Sequence, residues 1–211
     1  MSTTTFLVHF GHFQPLWQQP GLIQVGPQLS DGPETIRLTK PSVHLLRNSL
    51  RQRDWNERGV LLHYTDPFLM RSAALSGVRE WPGPRLLACG DLHHGPSPIT
   101  TLQSYLAAEP HDAVLLTFNP ALLNQVQQKI NVPVRCLAPT FFRYPKARRT
   151  ASPKLELLHV GSLGPHHPKR RALVEALLKR RRIPFQHATT ANAEEAASLY
   201  AQHALVLNVP L

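Results

Sequence analysis

Only two cysteines, Cys89 and Cys136, occur in 211 residues. A disulfide framework needs more, and a structural zinc site needs a second pair of thiolates that neither neighbourhood supplies. Both lie inside apolar runs, Leu86-Leu87-Ala88-Cys89 and Val134-Arg135-Cys136-Leu137, and are predicted to be reduced and buried. Long hydrophobic runs are missing too, since none approaches the roughly 18 residues of a membrane-spanning helix. The start, Met1 to Thr5 followed by a short apolar run from Phe6 to Phe10, has no charged leader, so no signal peptide is expected. These absences predict a soluble, cytoplasmic chain without a transmembrane segment.

Acidic residues are scarce, 13 against 23 Lys and Arg, for a formal charge of +10. The excess is local. Residues 143–182 carry twelve of the cations against Glu156 and Glu175, and the rest of the chain balances. Only Tyr144 and Phe185 fall among these cations, whereas a nucleic-acid module interleaves its cations with stacking aromatics. No specific nucleic-acid partner is expected. The stretch from Arg143 to Pro153 is cationic and lacks apolar periodicity, which marks a linker.

What is present is an alternation of short apolar runs with helical periodicity, the pattern of stacked βαβ units. Strands are predicted at Phe6 to Phe10, Val60 to Tyr64, Arg85 to Cys89, Ala113 to Phe118 and Val134 to Leu137. Helices are predicted from Ser42 to Arg53, from Asp66-Pro67 to Ser76, after Ser97-Pro98 and after Asn119-Pro120. The Gly-, Pro- and Gln-rich text before Ser42 reads as irregular. Beyond the linker come strand Leu155 to Val160, a helix from Pro168 to Arg182 and strand Ile183 to His187. A helix capped by Asn192 and Glu195 follows, then strand Ala204 to Val209. Leu205 to Leu211 reads as a buried strand running into a loop, where a crossover helix and another strand normally follow. The expected fold class is α/β, with two Rossmann-like doubly wound domains, the second incomplete.

The sharpest motif is Cys89-Gly90-Asp91-Leu92-His93-His94-Gly95 at a strand end. Open parallel sheets bind ligands beyond the carboxyl ends of their strands, so Asp91, His93 and His94 are expected to line a crevice. His9 and His12 bracket Gly11 after the first strand and are placed at the same crevice. The Asp91-x-His93 spacing also resembles binuclear metallophosphoesterases. The next strands end in Thr117-Phe118-Asn119 and Ala138-Pro139-Thr140, without the further ligands such a site needs, so no metal is expected. Gly161-Ser162-Leu163-Gly164 follows a strand and precedes a helix, where backbone N–H groups can approach a phosphate. Lys169, Arg170 and Arg171 at that helix start oppose its dipole, which an anion nearby would relieve. Lys179 to Arg182 are read as cations in the last helical turn. His63, His159 and His187 are read as hydrogen-bonded core residues, and His44, His111 and His203 as surface residues.

Together, Gly90 to Gly95, Ala107 to Asp112, His159-Val160-Gly161-Ser162 and Leu207-Asn208-Val209-Pro210-Leu211 resemble the GT-B glycosyltransferases, more narrowly the spore-maturation-type, group-one-like family. The resemblance spans roughly residues 60–211. It implies an acceptor-side domain over residues 1–142, a basic linker over 143–153 and the first part of a donor-binding domain over 154–211. It further implies transfer of a sugar from a nucleotide-sugar donor to an unknown acceptor, with no separate cofactor. Gly161 and Ser162 would approach the donor diphosphate and Asn208 would lie beside the donor. Asp91 and His94 would serve catalysis, with His12 and His93 on the acceptor side. The family's further donor-side segment does not follow Leu211, so the chain alone is expected to be inactive, with self-association through the incomplete sheet. The competing expectation is a noncatalytic binding protein with the same fold.

Overall fold

The computed structural model describes residues 4–11, 21–92, 96–118, 120–137, 146–164, 167–180 and 182–208. The chain divides into two compact units, Met1–Arg143 and Tyr144–Leu211. The first is built on β1 (Thr5–His9), β2 (Leu22–Gly26), β3 (Thr35–Arg37), α1 (Val43–Gln52), β4 (Val60–Thr65), β5 (Arg85–Cys89), α2 (Pro98–Ala108), β6 (Ala113–Leu116), α3 (Leu123–Gln127) and β7 (Val134–Cys136). Its seven strands run parallel in the order β3-β2-β1-β4-β5-β6-β7. This is an α/β fold with a Rossmann-like parallel sheet.

Strand β1 sits between β2 and β4, and its residues Phe6 to His9 are buried. Side chains alternate across a strand, so Phe6 and Val8 pack with Val25, Leu61 and the α1 residues Val43, Leu46 and Leu50, whereas Leu7 joins Leu62, Tyr64 and Ala88. Helix α1 starts where the Ser42 hydroxyl accepts the Leu45 N–H. The indole of Trp81 closes the first cluster edge-on to Phe6 and donates to the Gly59 carbonyl.

Several expectations change. Strands β2 and β3 lie in text read as irregular, because they are short and gain burial from pairing rather than from their own pattern. The segment after Asp66 forms successive turns instead of a helix. Met70 and Leu75 fill two different core clusters, which one amphipathic face does not serve. Cys136 is exposed, because β7 is the edge of the sheet, while Cys89 is buried in β5. His111 and His203 are buried rather than on the surface. His111 stacks on the fully buried His63 with ring centroids 6.0 Å apart, and its Nδ1 donates to the Glu109 carbonyl. His203 Nδ1 donates to the Leu199 carbonyl.

The second unit contains β8 (Lys154–Val160), α4 (Pro168–Lys179), β9 (Phe185–Ala188), α5 (Ala193–Gln202) and β10 (His203–Val206), with a parallel three-stranded sheet ordered β10-β8-β9. The capping box at α5 forms, with Glu195 N–H donating to Asn192 and the Glu195 carboxylate accepting from Ala191 N–H. Helix α4 ends at Lys179, so Arg180 and Arg182 lie beyond its last turn. Leu205 and Val206 of β10 are exposed, not buried as expected, because β10 is an edge that pairs with β8 alone. Among the described residues no helix is long and apolar enough to cross a membrane.

Two predictions follow from burial. A thiol-reactive disulfide reagent is expected to label Cys136 rapidly in the native chain and Cys89 only on unfolding; burial, then the charges of Asp66 and Asp91, also push the Cys89 thiol well up. The second concerns acid. Burial, then the neighbouring His111 and His9, hold His63 well below the ordinary imidazole range. Burial, opposed by the bond to the Glu109 carbonyl, holds His111 at about 4. The unfolded chain takes up these protons near pH 6.5, so stability is complete above that value and falls as pH drops toward 4, by about 1.4 kcal/mol per pH unit per group. Urea midpoints at pH 7 and pH 5 check this, with a smaller fall in His111→Gln.

Candidate functional site

In the first unit the chain leaves β1 outward to β2 and β3, then returns through α1 to β4 on the other side of β1. The strand order reverses between β1 and β4, and open α/β sheets take ligands beyond the carboxyl ends of their strands at such a reversal. His9 ends β1, Tyr64 and Thr65 end β4 before Asp66, Cys89 ends β5 before Gly90 and Asp91, and Thr117 follows β6. His9 Nδ1 donates to the Tyr64 carbonyl at 3.0 Å, and its ring lies 5.0 Å from that of Tyr64. Thr117 donates to the Cys89 carbonyl through both its backbone N–H and its hydroxyl, each at 3.0 Å.

The Asp66 carboxylate reaches from the end of β4 to the backbone beyond β5. Oδ1 of Asp66 accepts the backbone N–H of Asp91 at 2.8 Å. The approach requires a glycine between them, because a Cβ on Gly90 would overlap the Asp66 carboxylate. Gly11 is constrained in the same way by the His9 imidazole. Asp91 itself is half-buried and follows β5 and Gly90 at the carboxyl end of the sheet. His12, His93 and His94 lie outside the described residues. In the sequence Asp66 stands only at the start of an expected helix; the signal that marks it for the site is its position at a strand end, the same as that of Asp91.

The second unit gathers Gly161, Ser162 and Asn208 at the carboxyl ends of neighbouring strands β8 and β10. Gly161 donates to the Ala188 carbonyl and has φ 157°, a backbone that L side chains rarely adopt. The Ser162 hydroxyl accepts the Gly164 N–H at 3.1 Å and so braces the loop. Arg171 donates twice to the Leu163 carbonyl, tying the same loop to α4. Leu207 N–H donates to the Leu158 carbonyl, which sets the exposed Asn208 beside the end of β8. Among the described residues, no three His, Cys, Asp or Glu side chains gather as a metal site.

No protein-family model matches this sequence, and no curated protein does. Among solved structures, the chain is similar to one described as "Glycosylation Associate Protein (Gap123) complex from Streptococcus agalactiae", at 14% identity and a TM-score of 0.36, over 73% of this chain. It spans 30% of the length of that chain. At that score the likeness carries no argument about activity.

The Asp66, Gly90 and Asp91 contact yields a stability prediction. Gly90→Ala is expected to cost about 1–3 kcal/mol by forcing the Asp66 carboxylate aside. Asp66→Ala leaves the Asp91 N–H without this acceptor, at a cost of about 1–3 kcal/mol. Because the two changes disrupt one contact, the double variant is expected to lose about 0.5–3 kcal/mol less than the sum. Urea unfolding of the four proteins measures this, and strict additivity would show that the contact carries no energy.

Proposed function

We propose that this chain acts in sugar transfer as a GT-B-like glycosyltransferase or as part of one. In this reading the second unit holds the diphosphate of a nucleotide sugar at the Gly161-Ser162 loop, with Asn208 beside the donor. The first unit presents Asp91 to the acceptor. Asp91 takes the proton of the acceptor hydroxyl as its oxygen attacks the anomeric carbon, and the nucleoside diphosphate leaves. The observation that supports this is positional: Asp91 in one parallel sheet, and Gly161, Ser162 and Asn208 in the other, stand just beyond the carboxyl ends of the strands.

A second reading, a noncatalytic interaction protein, is favoured by one feature of the second unit. Leu205 is 57% and Val206 49% exposed on the edge strand β10. Beside them lies a groove of about 710 Å³ lined by Ala193, Ala197, Tyr200 and Val206, with Lys146 and Arg149 also contributing.

Calorimetric titration with uridine and guanosine diphosphates separates the two. Glycosyltransferase function predicts binding that Gly161→Val weakens about tenfold or more, about 1.4 kcal/mol, and that Asp91→Asn leaves unchanged while lowering transfer. Absence of binding, together with a dimer in light scattering that Leu205→Lys dissociates, would establish the interaction reading instead.

A further inference from the structure

Beneath the Gly161 loop lies a pair of imidazoles that sugar transfer does not use. His159, next to last in β8, is 3% exposed. Its Nδ1 lies 3.1 Å from the Leu207 carbonyl oxygen. A carbonyl only accepts, so Nδ1 carries the proton, and Nε2 of the neutral ring presents a lone pair. That Nε2 is buried without a hydrogen-bond partner among the described residues. An unmet buried acceptor is costly, and the direction in which it faces identifies what would satisfy it.

It faces the loop. The position a Cβ on Gly161 would take is 3.5 Å from His159 Nε2 and 3.9 Å from Nη1 of Arg170. A guanidinium donor and an imidazole acceptor therefore border one small space beside a glycine. Helix α4, 12 residues long, begins nearby with Pro168 in its first turn, no side-chain cap and no acidic residue in that turn. His187 of β9 stacks on His159 with ring centroids 5.4 Å apart and planes 20° apart. Burial, then the neighbouring His159, hold His187 below the ordinary imidazole range, opposed by a backbone hydrogen bond to His159. Among the described residues, His187 of β9 stacks on His159, and Arg170 of α4 borders the same Gly161 position. The segment after β10 contributes the Leu207 carbonyl.

We propose that a phosphoryl group bound at the Gly161 loop is taken up together with one proton on the stacked pair His159 and His187, which makes anion binding by this unit pH-linked. The proposal rests on the Gly161-Ser162 loop being the diphosphate site. A neutral His159 turns a lone pair toward an incoming anion, which repels it. When Nε2 gains a proton from solvent, it donates to the anion oxygen while Nδ1–H stays on the Leu207 carbonyl, so both nitrogens are satisfied. The stacked His187 disfavours a second charge, which limits the uptake to one proton. Arg170 supplies a fixed charge that attracts the anion at every pH.

Titration calorimetry of the full chain with sulfate tests this, because sulfate stays fully ionised from pH 6 to pH 8 and brings no proton of its own. Runs in buffers of different ionisation heat count the protons. Expected are uptake approaching one proton per sulfate and affinity rising by up to about tenfold per pH unit as pH falls. His159→Gln, whose amide offers a permanent donor in place of the imidazole, is expected to bind with no proton uptake. The wild-type proton count stands whether or not that variant folds. Sulfate and uridine diphosphate binding without proton uptake would overturn the proposal and leave the loop as a diphosphate site. Uptake that persists in a folded His159→Gln would place the proton elsewhere and also overturn it. No binding of either anion at any pH would remove the diphosphate site itself, and the proposal with it.

Discussion

The parallel pairing of β1 on both its edges is the constraint from which the first unit follows. A strand bonded on both sides has no edge to solvate, so Phe6 to His9 must be buried. Once β2 occupies one side, the returning chain can reach β1 only on the other, and the order of the remaining strands follows outward from β4. That reversal decides where a ligand can enter. It sets His9, Asp66 and Asp91 at the same end of one sheet although they are far apart in sequence.

Buried polar groups mark both units. His63 shares a hydrogen bond with the Tyr105 hydroxyl at 3.1 Å, and that hydroxyl in turn donates to the Leu75 carbonyl. The hydroxyl has one hydrogen, so His63 is the donor in its bond, and its ring stays neutral in a core that holds no counter-charge for it. In the second unit His159 lies beside Gly161 with its Nδ1 on the Leu207 carbonyl, and its Nε2, like those of His63 and His111, is buried without a hydrogen-bond partner among the described residues. Each unit thus carries a stacked pair of imidazoles.

Charge follows the same division. In the first unit the clustered ions are paired: Glu57 bridges Arg47 and Arg51, and Asp112 holds Arg85 through side chain and backbone. Partly exposed pairs of this kind contribute little to stability. In the second unit Lys169, Arg170 and Arg171 stand in the first turn of α4 without an acidic residue in that turn. This works against the helix dipole and is consistent with a site for anions.

By itself the sequence determined the α/β class, the strands β1 and β4 to β10, the helices α1 to α5 and the cap of α5, because each rests on a local pattern: a short apolar run, helical periodicity, a Ser or Asn cap, a Gly or Pro boundary. It also marked Asp91, Gly161, Ser162 and Asn208 as strand-end residues. Tertiary structure alone decided the rest. Strands β2 and β3 exist because β1 offers them an edge, and Met70 and Leu75 are pulled into separate clusters, which unravels the helix that Asp66-Pro67 would otherwise begin. Cys136 and Leu205 are exposed because their strands lie at sheet edges, and His111 and His203 are buried because partners distant in sequence close over them. The bond from the Asp91 N–H to the Asp66 carboxylate, and the approach of His159 and Arg170 to Gly161, depend on distances across the sheet and between strand and helix, which no local pattern encodes.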